Sequence, residues 1–83
     1  MVASNEVLQC LQAEEIVNSM IQHAQGNWGN VPSRKREFNE KALIYGGQIV
    51  SQYESQCGVE FQVITEAHRL FTRVMLIDPE NGS

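Results

Sequence analysis

Eighty-three residues, 42% hydrophobic and 19% charged with a net charge of −4, describe one folded domain and exclude a disordered chain, which needs low hydrophobicity and high net charge. A chain this short buries only about 60–65% of the surface its unfolded form exposes, so its core is modest, and pairing is a common route to added stability. No apolar run approaches the roughly 20 residues of a membrane span, and the opening MVASNEV lacks the basic and apolar regions of a signal peptide, so a cytoplasmic chain with no membrane partner is expected.

Residues 1–4 read as a short tail, with Ser4 placed to cap a helix starting near Asn5. Val7, Leu8, Leu11, Ile16, Val17, Met20, Ile21 and Ala24 recur at three- and four-residue steps, the stripe of an amphipathic helix. The polar stretch Gln12 to Glu15 favours a break into helices near 5–11 and 13–25, one continuous helix being the alternative. Gly26 supplies the left-handed residue past the helix end, and Asn27 to Pro32 is a loop. Ser33 is placed to cap a third helix, Arg34 to Tyr45, which Gly46-Gly47 stops; two glycines weaken a helix by about 2 kcal/mol relative to alanines.

The run from Gln48 to Ile77 then reads as three strands, QIVSQYES, VEFQVITEA and LFTRVMLI, joined by turns at Gln56-Cys57-Gly58 and His68-Arg69. Ile49, Ser51 and Tyr53 share one face of the first strand, and Phe61, Val63 and Thr65 one face of the second. In the last strand Phe71, Arg73, Met75 and Ile77 alternate with Thr72, Val74 and Leu76, so both faces are substantially apolar. One face is expected on the helices, the other under the N-terminal helix or a second copy. The predicted fold is a single α+β domain over 1–83: two or three helices within about 5–46, an antiparallel three-stranded meander within about 48–77, and short tails.

Few residues suggest chemistry. His23 offers a base or metal ligand, but no second His or Cys stands at ligand spacing; a cation favoured near a helix C-terminus is the simpler reading. Glu66, His68 and Arg69 would do acid–base work only if they lined a pocket; in an exposed turn they are solvated charges. Ser51, Thr65 and Thr72 lack the elbow and adjacent base of a nucleophile. Cys10 and Cys57, far apart and without CxxC spacing, read as reduced, buried thiols. Asn39 is a poor helix former expected to bond to the loop around Trp28. Trp28 itself is either a core plug or a partner contact. Arg34, Lys35 and Arg36 form the one basic cluster, a modest basis for phosphate binding, and ten dispersed acidic residues are a poor match for a DNA mimic. No metal or cofactor is expected.

Gly26-Asn27-Trp28-Gly29, then Asn39, Ala42, Leu43 and Gly46, then Ser51 and Tyr53, then Ile64-Thr65-Glu66-Ala67-His68-Arg69, then Thr72 and Leu76 follow one gap-free spacing over about three-fifths of the chain. That spacing resembles a family of small bacterial proteins carried on plasmids and prophages, with a GDWG-like loop, an NxxALxxG helix end and an ITEADR-type turn. Asn27 and His68 stand where the family carries acids, Gln62 where an aromatic is usual and Ile77 where a proline is usual. The resemblance implies a mobile-element setting and an accessory role, and no catalytic residue.

These readings favour a small interaction protein that binds an unidentified protein and forms a homodimer, with Trp28, Phe71, Met75 and Ile77 as contact candidates. The alternatives are a nucleic-acid-associated regulator using Arg34, Lys35 and Arg36, and an enzyme using His23, His68 and Glu66, which is least favoured because no nucleophile, metal or cofactor constellation is visible.

Overall fold

Alternation of side chains sets the sheet. In the computed structural model, which describes residues 2–3, 5–56 and 58–77, the strands run Ile49–Glu54 (β2), Glu60–Thr65 (β3) and Thr72–Leu76 (β4). They pair antiparallel with Ser51 opposite Val63, Val63 opposite Val74, and Tyr53 opposite Phe61. This register stacks Ile49, Ser51, Tyr53, Phe61, Val63, Thr65, Thr72, Val74 and Leu76 on one face. The predicted meander is present. The expected N-terminal tail is corrected: Val2–Ala3 forms a two-residue strand, β1, parallel to β4, which makes the sheet four-stranded in the order β1-β4-β3-β2. A strand edge presents unpaired backbone groups, and even two residues can occupy part of it. The expected cap Ser4, the turn residue Cys57 and the tail beyond Ile77 lie outside the described residues.

Two helices cover the stacked face. α1 spans Asn5–Cys10 and α2 spans Ala13–Ala24, with Gln12 in extended conformation between them, so the break favoured by the polar segment is present. Val7, Leu11 and Ile16 pack with Tyr53, Phe61, Val63, Val74 and Leu76 into the main core; burying each such side chain contributes roughly 1.5–3 kcal/mol. α2 ends as predicted at Gly26: the Gly26 N–H donates to the His23 carbonyl and the Asn27 N–H to the Gln22 carbonyl, closing the helix with its last carbonyls satisfied. Cys10 is exposed, which corrects its expected burial.

α3, Ser33–Tyr45, lies along the outer edge of β2 and turns only Asn39 and Ala42 fully inward. Its N-cap is Pro32, and Ser33 makes no cap bond, contrary to expectation. Trp28, Val31, Ala42 and Ile49 form a second core cluster. Trp28 is therefore a core plug, and the partner-contact reading of that residue is corrected: its indole is buried.

The β2 edge is closed by side chain and loop together. The Asn39 amide donates to the Val50 carbonyl at 2.7 Å and accepts the Val50 N–H at 3.0 Å. Two residues along, the Gln52 N–H donates to the Trp28 carbonyl and the Asn30 N–H to the Gln52 carbonyl. Asn39 thus bonds to the strand, not to the tryptophan loop as predicted, and loop and amide share one edge.

Candidate functional site

Ser19 and His23 lie on the inward stripe of α2, and the register brings Ser51, Thr65 and Thr72 to the facing sheet surface. The His23 Nδ1 is hydrogen-bonded to the Ser51 hydroxyl, and its Nε2 lies 2.7 Å from the Thr65 hydroxyl, which is 3.0 Å from that of Thr72. The base that sequence spacing did not supply to Ser51 and Thr65 is therefore supplied in space, which corrects the expectation that they have none.

A serine beside a histidine is the start of a nucleophilic constellation, but two features direct this one to structure. Ser51 is 0% exposed and His23 9%, so no substrate reaches the hydroxyl. The ring nitrogen opposite Ser51, where a hydrolase holds a carboxylate, is bonded instead to the Thr65 hydroxyl. A neutral imidazole satisfies this geometry completely: one nitrogen donates, the other accepts, and each hydroxyl turns to suit. Burial pushes the His23 pKa below its ordinary value of 6.5, which corrects its reading as a cation at the helix end. Burial likewise raises the Tyr53 phenol, partly offset by the nearby Ser51 hydroxyl, while the Tyr53 hydroxyl donates to the Asn27 carbonyl.

The pH dependence follows from the lowered His23 value. The unfolded chain takes up this proton near pH 6.5 and the folded chain only at lower pH, so the stability that neutral His23 provides is whole above 6.5 and falls as pH drops toward the folded value. Urea unfolding at pH 7.5 and 5.5 is expected to show a loss on acidification that His23→Gln removes. An equal loss in the variant would assign the acid sensitivity to other groups.

An open groove of about 490 Å³ runs between α2 and the end of β2, lined by Glu15, Asn18, Gln22, Asn30, Tyr53 and Gln56 among others. Its lining is polar but holds no basic side chain, and Glu15 is engaged by the Gln56 N–H at 3.1 Å. It has the makings of neither an anion site nor an acid–base pair matched to His23.

The turn residues separate. The Glu66 carboxylate pairs with Arg73 at 2.7 Å. The His68 ring accepts the Leu70 N–H at 3.0 Å and stands edge-on to Phe71 in the exposed turn. Arg69, with φ +65°, donates to the Ala42 carbonyl at 2.8 Å and the Gly47 carbonyl at 2.6 Å, so it closes the C-terminus of α3. His23 and His68 therefore serve separate networks, one interior and one exposed, and the structure does not assemble the His23, His68 and Glu66 group.

Arg34, Lys35 and Arg36 are exposed, with Arg36 donating to the Gly29 carbonyl at 2.7 Å. Phe71 lies just before β4 and is exposed; Met75 is exposed on the open sheet face and Ile77 is half-buried beyond the strand. Reasoning from sequence missed Asn39 as the edge cap, Arg69 as a helix cap, and the His23 hydroxyl cluster. A signal for the cluster was present: a histidine on the apolar stripe of a helix, with hydroxyl residues at inward positions of three strands. Among the described residues no three His, Cys, Asp or Glu side chains are grouped to hold a metal ion, and no helix is long and apolar enough to cross a membrane. No family model, curated protein or solved structure matches this chain.

Proposed function

We propose that the chain is a small cytoplasmic accessory protein that works by binding other proteins and not by catalysis. The observation that carries this reading is where its large apolar side chains lie. Ile44 and Tyr45 at the end of α3 and Leu70 and Phe71 in the β3–β4 turn are all exposed, and Arg69 ties the two segments together through the Ala42 and Gly47 carbonyls. Apolar surface of this kind marks contact sites, and Met75 is a further exposed apolar side chain, on the open sheet face. The sealed His23 cluster supports the same reading, since the chain's histidine–hydroxyl chemistry is out of reach of a substrate. A plasmid or prophage setting is part of the proposal and rests on the spacing from the Gly26 loop to Leu76.

The test is affinity capture from host lysate with and without nuclease, using the native chain and a Leu70→Ser/Phe71→Ser variant. One dominant, nuclease-resistant partner that the variant loses, with its circular dichroism unchanged, is the expected result. A signal removed by nuclease would transfer the function to Arg34, Lys35 and the exposed start of α3.

A further inference from the structure

We propose that one partner of this chain is a second copy of itself, held by a two-fold contact that lays α2 of each protomer on α3 of the other. This rests on the reading of the chain as an interaction protein and names the partner and the surface. Two exposed helical stripes carry it. On α2, Glu14, Val17 and Ile21 follow at three- and four-residue steps, on the side away from buried Ile16 and His23; Val17 is 55% and Ile21 51% exposed. On α3, Arg34, Phe38, Lys41 and Tyr45 follow at four-, three- and four-residue steps, so basic and aromatic side chains alternate along one face. Phe38 is 64% and Tyr45 83% exposed, and Arg34, Glu37, Phe38 and Lys41 line a shallow cavity of about 270 Å³.

Charge selects the pairing. Four of the six basic residues lie in α3 with two of the ten acidic ones, whereas α2 carries Glu14 and Glu15 and no Lys or Arg. A contact of α2 with α2 brings no Lys or Arg to Glu14, whereas the cross-contact places Glu14 beside Lys41 and Arg34. A two-fold axis makes this contact twice, because what α2 of one protomer meets on its partner, α3 of the first presents in return. The apolar area is adequate. The four side chains leave on the order of 450 Å² of apolar surface per copy, close to the non-polar share of a standard interface of roughly 800 Å² per partner. The aliphatic pair on α2 against two rings on α3 also follows the usual enrichment of interface cores in aromatic anchors.

Sedimentation equilibrium of the purified chain tests the proposal, with circular dichroism to verify that each variant folds. The native chain is expected to reach dimer mass, and Tyr45→Ala to raise the dissociation constant roughly tenfold or more. The specific test is charge exchange. Glu14→Lys alone and Lys41→Glu alone are each expected to weaken the dimer, since positions 14 and 41 then carry like charges in both contacts of each homodimer. An equimolar mixture of the two is expected to recover dimer, because one contact of the mixed pair is reversed and complementary and the other is native. Monomer mass for the native chain at millimolar concentration overturns the proposal, as does a dimer indifferent to Tyr45→Ala or a mixture that fails to recover. A stripe that binds single-stranded oligonucleotide in a salt-dependent way while the chain stays monomeric also overturns it. Tyr45 belongs to both surfaces, so the two readings are separated by the arms that leave it in place: Leu70→Ser/Phe71→Ser in the lysate capture and the Glu14/Lys41 exchange in self-association.

Discussion

Asn39→Ala is expected to lower the unfolding free energy by about 2–4 kcal/mol, although it replaces a mediocre helix former with the best one. Helix propensity favours the variant by under about 1 kcal/mol. Against that, the Asn39 side chain is only 2% exposed, and its amide is the partner of both the N–H and the carbonyl of Val50. Removing it orphans two backbone groups where α3 covers the strand edge, and each unmade bond of this kind costs about 1–3 kcal/mol. Asn39→Asp separates the two contributions. It keeps an acceptor for the Val50 N–H but turns an oxygen toward the Val50 carbonyl, so it is expected to be at least as damaging as alanine. Equilibrium urea unfolding checks both variants. A change below about 0.5 kcal/mol for alanine would mean that water replaces the amide and that the edge is not sealed by it. Because a domain of this size has a total stability of only several kcal/mol, Asn39→Ala is also expected to lower the melting temperature by about 10 °C or more.

Gly29→Ala is expected to destabilise the fold by about 3 kcal/mol or more, and to prevent folding at 37 °C. Gly29 has φ +68°, and a Cβ there would run into the Gln52 carbonyl and come within 2.8 Å of the Tyr53 ring. The obstacle is backbone and a buried aromatic, neither of which can step aside, because Gln52 is held by Trp28 and Asn30 and Tyr53 belongs to the main core. Gly26→Ala is the matched control. It shares the positive φ, at +81°, but has nothing within 4 Å, so only the backbone cost of about 1 kcal/mol is expected. Equal effects of the two substitutions, measured by thermal and denaturant unfolding, would remove close approach as the reason for glycine at Gly29 and leave dihedral preference alone.

Both positions show how much of the molecule was legible beforehand. Asn39 stood out as a polar residue in the body of a helix, and its role as a local hydrogen-bonding residue was expected, but its partner was misassigned. Helix periodicity states which side of α3 Asn39 occupies; it does not state that Val50, eleven residues later, returns to that side. Gly29 stood in a loop dense with turn formers, yet the approach of β2 that makes it irreplaceable is a tertiary event. His23 shows the same limit from the other side. Its position on the apolar stripe of α2 was readable, but a histidine near a helix end is a cation in water and a neutral hydrogen-bonding plug in a core. Ser51 and Thr65, 28 and 42 residues away, decide between the two.

The sequence by itself determined what local physics controls. Side-chain alternation fixed the three strands of the meander and which residues share a face. Glycine at Gly26 and Gly46 fixed where α2 and α3 stop, and a polar segment around Gln12 separated α1 from α2. These are decided within a few residues, by dihedral preference and by the period at which apolar groups recur. The tertiary structure alone decided the parallel addition of β1 to β4, the closing of the β2 edge by Asn39 and the Trp28 loop, the burial of Trp28, the Arg69 cap on α3 and the sealing of His23 beneath the sheet. Each joins groups distant along the chain, and each hydrogen bond or contact gains its value only when folding removes both partners from water. That gain depends on which surfaces the completed fold brings together, and no local pattern carries it.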